Sequence, residues 1–316
     1  MLWNRSNDFL KLVLALVFAW VLAFAPTSLR AAEKADDKDA AATAHLSNFI
    51  TLMRLNGFAD LGIYYLEQLN AEKKLPASFQ KEYDFQLAVL TEASANLARK
   101  YEDRLEAYDK AIVLLEKYIK ENPDGENFYV AIGFLPNIRL NKNLVYQAMG
   151  SMNDPFKVDD SKMNDEEKKE LEKRKTQFTA DKKKYDDLAR GELKKNVDFL
   201  TEYEKIILDG AKKLDTKDKD QNARRNDMLN ELHSIRMARG NTYYEIAKTY
   251  PEGSKERNEN LDKARQQYKF FWDKYKEQGL LIAFRGHINE AKMFIEMKKY
   301  AGKAKRSRSS ATCTAV

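Results

Sequence analysis

From Phe49 almost to the end of the chain, apolar side chains recur in steps of three and four. Such steps keep one stripe on a 3.6-residue helix, so the pattern predicts one helix after another. Phe49, Leu52 and Met53 lead to an Asn56-Gly57 turn, and Leu61, Tyr64, Tyr65 and Leu69 run to a break at Pro76. Phe79, Tyr83, Leu87, Leu90, Ser94, Leu97 and Tyr101 mark the next helix. Leu105, Tyr108, Ile112, Leu115 and Ile119 carry the stripe on to Asn122-Pro123. Asn-Pro is a stop, because the residue before proline avoids helical backbone angles. Phe128 to Met152 reads as a helix broken or restarted near Gly133 and Pro136. Leu193, Val197, Leu200, Tyr203 and Ile207 give a full apolar face before Gly210. Leu232, Ile235, Tyr243 and Ile246 form another face, and a Pro251-Glu252-Gly253 turn leads to Leu261, Ala264, Tyr268, Phe271 and Tyr275. Gly279 precedes a last helix with Leu281, Phe284, Ile288, Ala291 and Ile295 on one stripe. Strict alternation of β-branched residues is missing, so the expectation is an all-α array of helical hairpins over residues 44–300.

Residues 159–184 depart from this pattern. Acidic and basic side chains dominate there, and Leu171, Phe178 and Tyr185 supply one apolar position per heptad, too thin a seam for a coiled coil. Asn164 followed by Glu167 is a capping box that starts the helix. The segment reads as a charged helical extension laced by ion pairs, the alternative being a helix that pairs with a partner.

The two ends change the picture further. Arg5 and Lys11 precede an apolar run from Leu12 to Ala25 within Phe9–Ala25, followed by Pro26 and the small pair Ala31-Ala32. That order is a secretory signal covering residues 1–32. About 14 apolar residues make a helix of roughly 21 Å, short of the ~30 Å hydrocarbon core, which favours removal over retention as an N-terminal anchor. Export to the periplasm or cell envelope is expected either way. Residues 33–43 read as a polar linker, and residues 301–316 as a disordered basic tail. Leader and tail together carry the whole of the formal +6 charge, so the body has no basic excess and no nucleic-acid footprint. Cys313 is the single cysteine, which rules out a disulfide framework and leaves packing to hold the fold.

Several helix pairs resemble tetratricopeptide (TPR) repeats, in which small residues, aromatics, alanine and a closing proline recur at fixed places. Tyr108, Ala111, Leu115 and Pro123 fit the second half of such a repeat, although Arg99 and Glu102 stand where a small residue and an aromatic belong. Gly240 and Tyr243, then Leu261, Ala264, Tyr268 and Phe271, fit a second repeat with a longer turn. Ala291, Phe294 and Tyr300 fit a third, with Lys303 in place of alanine. The chain is also similar to the front portions of long exported repeat proteins of planctomycete bacteria. The resemblance implies a right-handed TPR-like α-solenoid whose inner helices hold a partner. Its groove positions fall on Ser234, Met237, Asn241 and Tyr244, and on Arg285, Ile288, Lys292 and Ile295.

Chemistry is otherwise sparse. His45, His233 and His287 have no ligand partners at helical spacing, Asp36, Asp37 and Asp39 lack a closing glutamate for a cation loop, and no catalytic or phosphate-binding motif occurs. The pairs Tyr64-Tyr65, Tyr243-Tyr244 and Phe271-Trp272 sit at core spacing. No cofactor or metal is implied. The expected function is a non-catalytic exported scaffold for protein or peptide partners, touching membrane only through an uncleaved leader; the alternative is a helical-toroid enzyme of the envelope. The stripe from Phe284 to Ile295 meets no further packing helix in the sequence. This suggests a truncated or frameshifted front portion of a longer repeat protein, or a helix covered by a partner or by self-association.

Overall fold

A computed structural model describes residues 35–311 apart from Asp124 and Glu126, with side chains described between 38 and 297. The leader, residues 1–32, and Cys313 lie outside the described residues. Nine α-helices follow one another among the described residues, and no strand occurs there. They are α1 (Ala35–Leu55), α2 (Ala59–Ala71), α3 (Ala77–Leu97), α4 (Tyr101–Glu121), α5 (Phe128–Ser151), α6 (Asp165–Lys212), α7 (Lys219–Lys248), α8 (Lys255–Tyr275) and α9 (Leu281–Ala311). Each packs against its neighbour in sequence, with further contact of α1 with α3 and of α5 with α7.

The stops fall where local chemistry demands them. Gly57, Gly253 and Gly279 all have positive φ, the conformation that lets glycine reverse the chain after α1, α7 and α8. Asn164 accepts from the Glu167 amide while the Glu167 carboxylate accepts from the Asn164 amide, so the expected capping box opens α6. That helix then runs 48 residues without interruption, about 72 Å at 1.5 Å per residue. Its first half is the charged extension, with Lys175–Glu172 at 2.8 Å and Lys182–Asp186 at 2.8 Å. Leu171 is buried there and Phe156 packs edge-on to Phe178.

Four expectations are corrected. Helix α1 begins at Ala35, inside the stretch read as a polar linker. Alanine-rich sequence favours helix, and Asp39 docks on the start of α3, accepting from the Ala77 and Ser78 amides at 2.7 and 2.9 Å. These bonds, with the Ser78 side chain contributing most, hold the Asp39 carboxyl below its ordinary range. Helix α5 is not broken at Pro136. Proline removes one ladder bond and crowds the preceding turn, but the Asn137 side chain donates to the Gly133 carbonyl at 3.0 Å and Asn196 of α6 donates to the Pro136 carbonyl at 3.3 Å. The backbone of the basic tail continues α9 as far as Ala311, residues 312–316 being outside the described residues. Lastly, Ala291 and Tyr300 lie on this one uninterrupted helix, so the third helix pair does not form there, and Arg99 lies in the link between α3 and α4.

Three apolar clusters form the core. Leu46, Ile50, Met53, Leu66, Phe79 and Leu90 join α1, α2 and α3. Phe85, Leu115, Tyr118, Ile132, Leu135, Leu200 and Leu232 join α3 to α7. Met237, Leu261, Tyr268, Phe271, Ala283 and Met293 join α7, α8 and α9. Helix α7 belongs to two clusters because its buried face changes side between Ile235 and Met237, two residues and about 200° apart. Where α7, α8 and α9 cross, glycines admit the neighbour. A Cβ on Gly240 would stand 2.8 Å from the Tyr268 ring, and one on Gly286 would stand 2.7 Å from both the Phe271 Cβ and the Tyr268 carbonyl oxygen.

Helical glycine normally sacrifices up to ~1 kcal/mol relative to alanine, so contact geometry decides the sign of a substitution. Gly191 in α6 has open space around it. Gly191→Ala is expected to raise stability by ~0.5–1 kcal/mol. Gly286→Ala meets backbone that cannot retreat and is expected to lose ~1–3 kcal/mol. Urea unfolding of the two variants beside the wild type checks both signs.

Candidate functional site

Helix α7 starts at Asp218, whose carboxylate accepts from the Asp220 and Gln221 amides at 2.9 Å, and α9 starts beyond the left-handed turn at Gly279. Between them and α5 lies a cleft of about 340 Å³. Gly133, Pro136 and Asn137 form its α5 wall, Leu200 its α6 floor, and Ile282 and Arg285 its α9 wall. Helix α7 crosses the middle with Glu231, Ser234, Ala238 and Asn241 among its lining residues. Two short residues of α5, one glycine and one proline, explain why the helices leave a gap here.

Of the eight groove positions expected from the sequence, Ser234, Met237, Asn241 and Arg285 line this cleft. Met237 is only 8% exposed and serves chiefly as core, its sulfur meeting the Asn289 amide nitrogen at 3.9 Å. Asn241 accepts from the Tyr268 hydroxyl at 2.8 Å, and burial holds that phenol well above its ordinary range, as a neutral donor. Tyr244 and Lys292 lie farther along the same seam, where the Lys292 ammonium sits 4.5 Å from the Tyr244 ring centre. Ile288 and Ile295 face solvent, 69% and 61% exposed. The face of α9 that packs inward is instead Ala283, Gly286, Glu290 and Met293. The stripe read from Phe284 to Ile295 is therefore the outer one, with Phe284 edge-on to Trp272 at one margin.

Glu231 is the residue that sequence reasoning missed. Its Oε1 is buried without a hydrogen-bond partner, and Gly133 lies directly opposite, close enough that a Cβ would approach to 3.1 Å. Burial alone pushes its carboxyl above the ordinary range. His233 also lines the cleft, but its Nε2 is engaged by the Tyr275 hydroxyl. Burial, with Lys274 and Arg236 nearby, lowers its pKa and keeps it neutral. Ser234 directs its hydroxyl at the Asn230 carbonyl of its own helix, 3.5 Å away. Adjacent helical positions do not face each other, so Ser234 and His233 form no nucleophile–base pair. His45 and His287 are exposed and lie elsewhere, His287 stacked on Trp272 at 4.3 Å. Among the described residues no group of His, Cys, Asp and Glu side chains converges to hold a metal, and no helix is long and apolar enough to cross a membrane.

Two further hollows differ in kind. One of about 420 Å³ beside α3 and α4 has its central charges paired, Lys117 to Asp84 at 2.8 Å. One of about 260 Å³ is bordered by Tyr108, whose hydroxyl donates to Asn96 at 2.6 Å. Only the α5–α7–α9 cleft presents a buried ionisable oxygen with no partner among these three.

The raised Glu231 carboxyl fixes a pH dependence. The folded chain holds the proton more tightly than the unfolded chain, so folding is unpenalised below the ordinary value of 4.5 and is progressively penalised as pH rises through the raised value. The other titratable groups on the cleft are His233 and Arg285; the α5 and α6 walls supply none. Glu231→Gln is thus expected to be more stable than wild type at pH 7, by roughly 1 kcal/mol, with the gain disappearing near pH 4. Thermal unfolding of both proteins across that range measures it. Comparison with protein-family models, with curated proteins and with solved structures found no match to this chain.

Proposed function

We propose that this protein is a non-catalytic exported scaffold, a TPR-like right-handed helical array that holds an extended segment of a protein or peptide partner along the α7–α9 seam. The observation that carries this reading is the cleft itself. It is open, it mixes apolar wall with polar groups and an unpaired carboxylate oxygen, and the Lys292–Tyr244 contact joins the same two helices that the TPR resemblance assigns to the groove. Mixed walls of this kind suit a peptide backbone with alternating side chains. The close crossing at Gly240 is in keeping with the small residue such repeats require there. Export is proposed on the strength of the Phe9–Ala25 leader.

The observation favouring catalysis is the pair of shifted groups, Glu231 and His233, in one cleft. Against it stand the engagement of His233 by Tyr275 and the lack, among the described residues, of a nucleophile aimed at either group. Scaffolding is the better reading.

Twelve-residue peptides selected by display against the full exported chain should bind in the cleft. Arg285→Glu combined with Lys292→Glu should change their affinity about tenfold, since rim charges steer association and register. Equal binding to the double variant sinks the assignment of this face. The outward stripe of α9 gives a second expectation, self-association through Ile288 and Ile295. Light scattering should show mass rising with concentration, and Ile288→Lys with Ile295→Lys should restore a monomer; a monomeric wild type at all concentrations removes this contact.

A further inference from the structure

Glu231 narrows what the cleft can hold. A carboxylate oxygen removed from water without a hydrogen bond is a standing cost, offset either by a proton or by a cation brought to it. Among the described residues no side chain pairs with this oxygen. Oε1 of Glu231 has no partner, and Arg236 and Arg239 farther along its helix are both committed to Glu204 of α6. Arg285, across the cleft, makes no ion pair among the described residues and is exposed at the mouth. Gly133 packs beside Glu231 without adding a side chain to the cleft, and the Asn137 amide donates to the Gly133 carbonyl. Pro136, Leu200, Ile235 and Ile282 supply an apolar lining between mouth and carboxylate.

We propose that this cleft is a site for a cationic group on an aliphatic stem, an ammonium or guanidinium whose methylene chain lies against Pro136, Leu200 and Ile282 and whose charge meets Glu231. The volume of about 340 Å³ accommodates one such side chain with part of its backbone. A lysine or arginine of the bound peptide supplies this chemistry, and so does a free alkylamine or alkylguanidine. The inference rests on the binding reading of the cleft and adds the charge of the group that enters it. The raised carboxyl is in keeping with it, because burial without a partner favours a proton that a cation brought to the oxygen would displace. Of the other titratable groups on the cleft, His233 is held neutral and Arg285 stands at the mouth, so Glu231 is the anion that a cation meets there.

The experiment uses the full chain and three probes: a nine-residue alanine-serine peptide with one central arginine, the same peptide with citrulline, and agmatine as a free alkylguanidine. Citrulline keeps the size and loses the charge. The arginine peptide should bind about tenfold more tightly than the citrulline peptide at pH 7, the difference expected of one charge-assisted hydrogen-bonded pair. Glu231→Gln should abolish that preference while keeping a native circular dichroism spectrum and a melting temperature no lower than that of wild type. Glu82→Gln, remote from the cleft, should leave the preference intact. If both peptides bind equally well to wild type, the cation inference falls and the peptide cleft stands. If agmatine binds through Glu231 and neither peptide does, the peptide reading falls and the cation site stands. A preference unchanged in Glu231→Gln, or no binding of any probe, overturns the proposal.

Discussion

The position of α7 depends on one carboxylate. Glu204 of α6 is nearly buried and faces two arginines of α7, Arg236 at 2.6 Å and Arg239 at 2.5 Å. Removing one member of such a set strands the others without solvent, at a cost on the order of 3 kcal/mol or more. Apolar packing alone tolerates a slide of one helix along another; two guanidinium groups gripping one carboxylate do not. The grip is extended in both directions. Arg239 also donates to Gln267 of α8 at 2.9 Å, and the Arg236 guanidinium lies 4.1 Å from the Phe270 ring centre. Helix α7 is therefore registered against the helices before and after it, and it carries the middle of the cleft and part of two core clusters.

The same device recurs at the preceding joints. Arg139 of α5 pairs with Glu116 of α4 and donates to the Lys195 carbonyl of α6. Lys142 of α5 meets Asp109 of α4 at 2.6 Å and Glu192 of α6 at 3.7 Å. Desolvation works against the Lys142 ammonium, yet these carboxylates hold its pKa above the ordinary value. Asn196 spans α5 and α7 through the Pro136 carbonyl and the Thr242 hydroxyl. A helical array in which each element touches little beyond its neighbours has few long-range contacts to define its geometry. Buried polar bonds at each joint supply the specificity that uniform apolar stripes lack.

Most of the helices were legible because their stripes, turns and caps agree: Gly57, Pro76, Asn122-Pro123, Asn164 with Glu167, Pro251 to Gly253 and Gly279 all end or start an element. What periodicity alone does not carry is the partner across the joint. Pro136 reads as a break until Asn137 and Asn196 are seen beside it. The stripe of α9 reads as its core face, yet Gly286, which the stripe omits, sits where α8 comes closest, and close approach outranks apolarity in choosing the inner face. Half of the eight groove positions reached the cleft because a helix face is fixed by spacing. Glu231 did not announce itself, since an acidic residue on a helix is usually solvated; only Gly133, almost a hundred residues earlier in the chain, makes it a buried one.

Cleft and grip are thereby two outcomes of the same chemistry on α7. Glu204 and Glu231 both face an interior, one matched by two guanidinium groups of the protein and the other by none. The matched carboxylate sets a helix in place and stabilises one register. The unmatched one works against stability at neutral pH, and the fold tolerates it because the surrounding joints are over-determined by Arg139, Lys142 and Asn196. Glu231 supplies the one carboxylate oxygen among the described buried side-chain atoms that lack a hydrogen bond, and that is the physical reason to place recognition there rather than at the paired hollows elsewhere on the array.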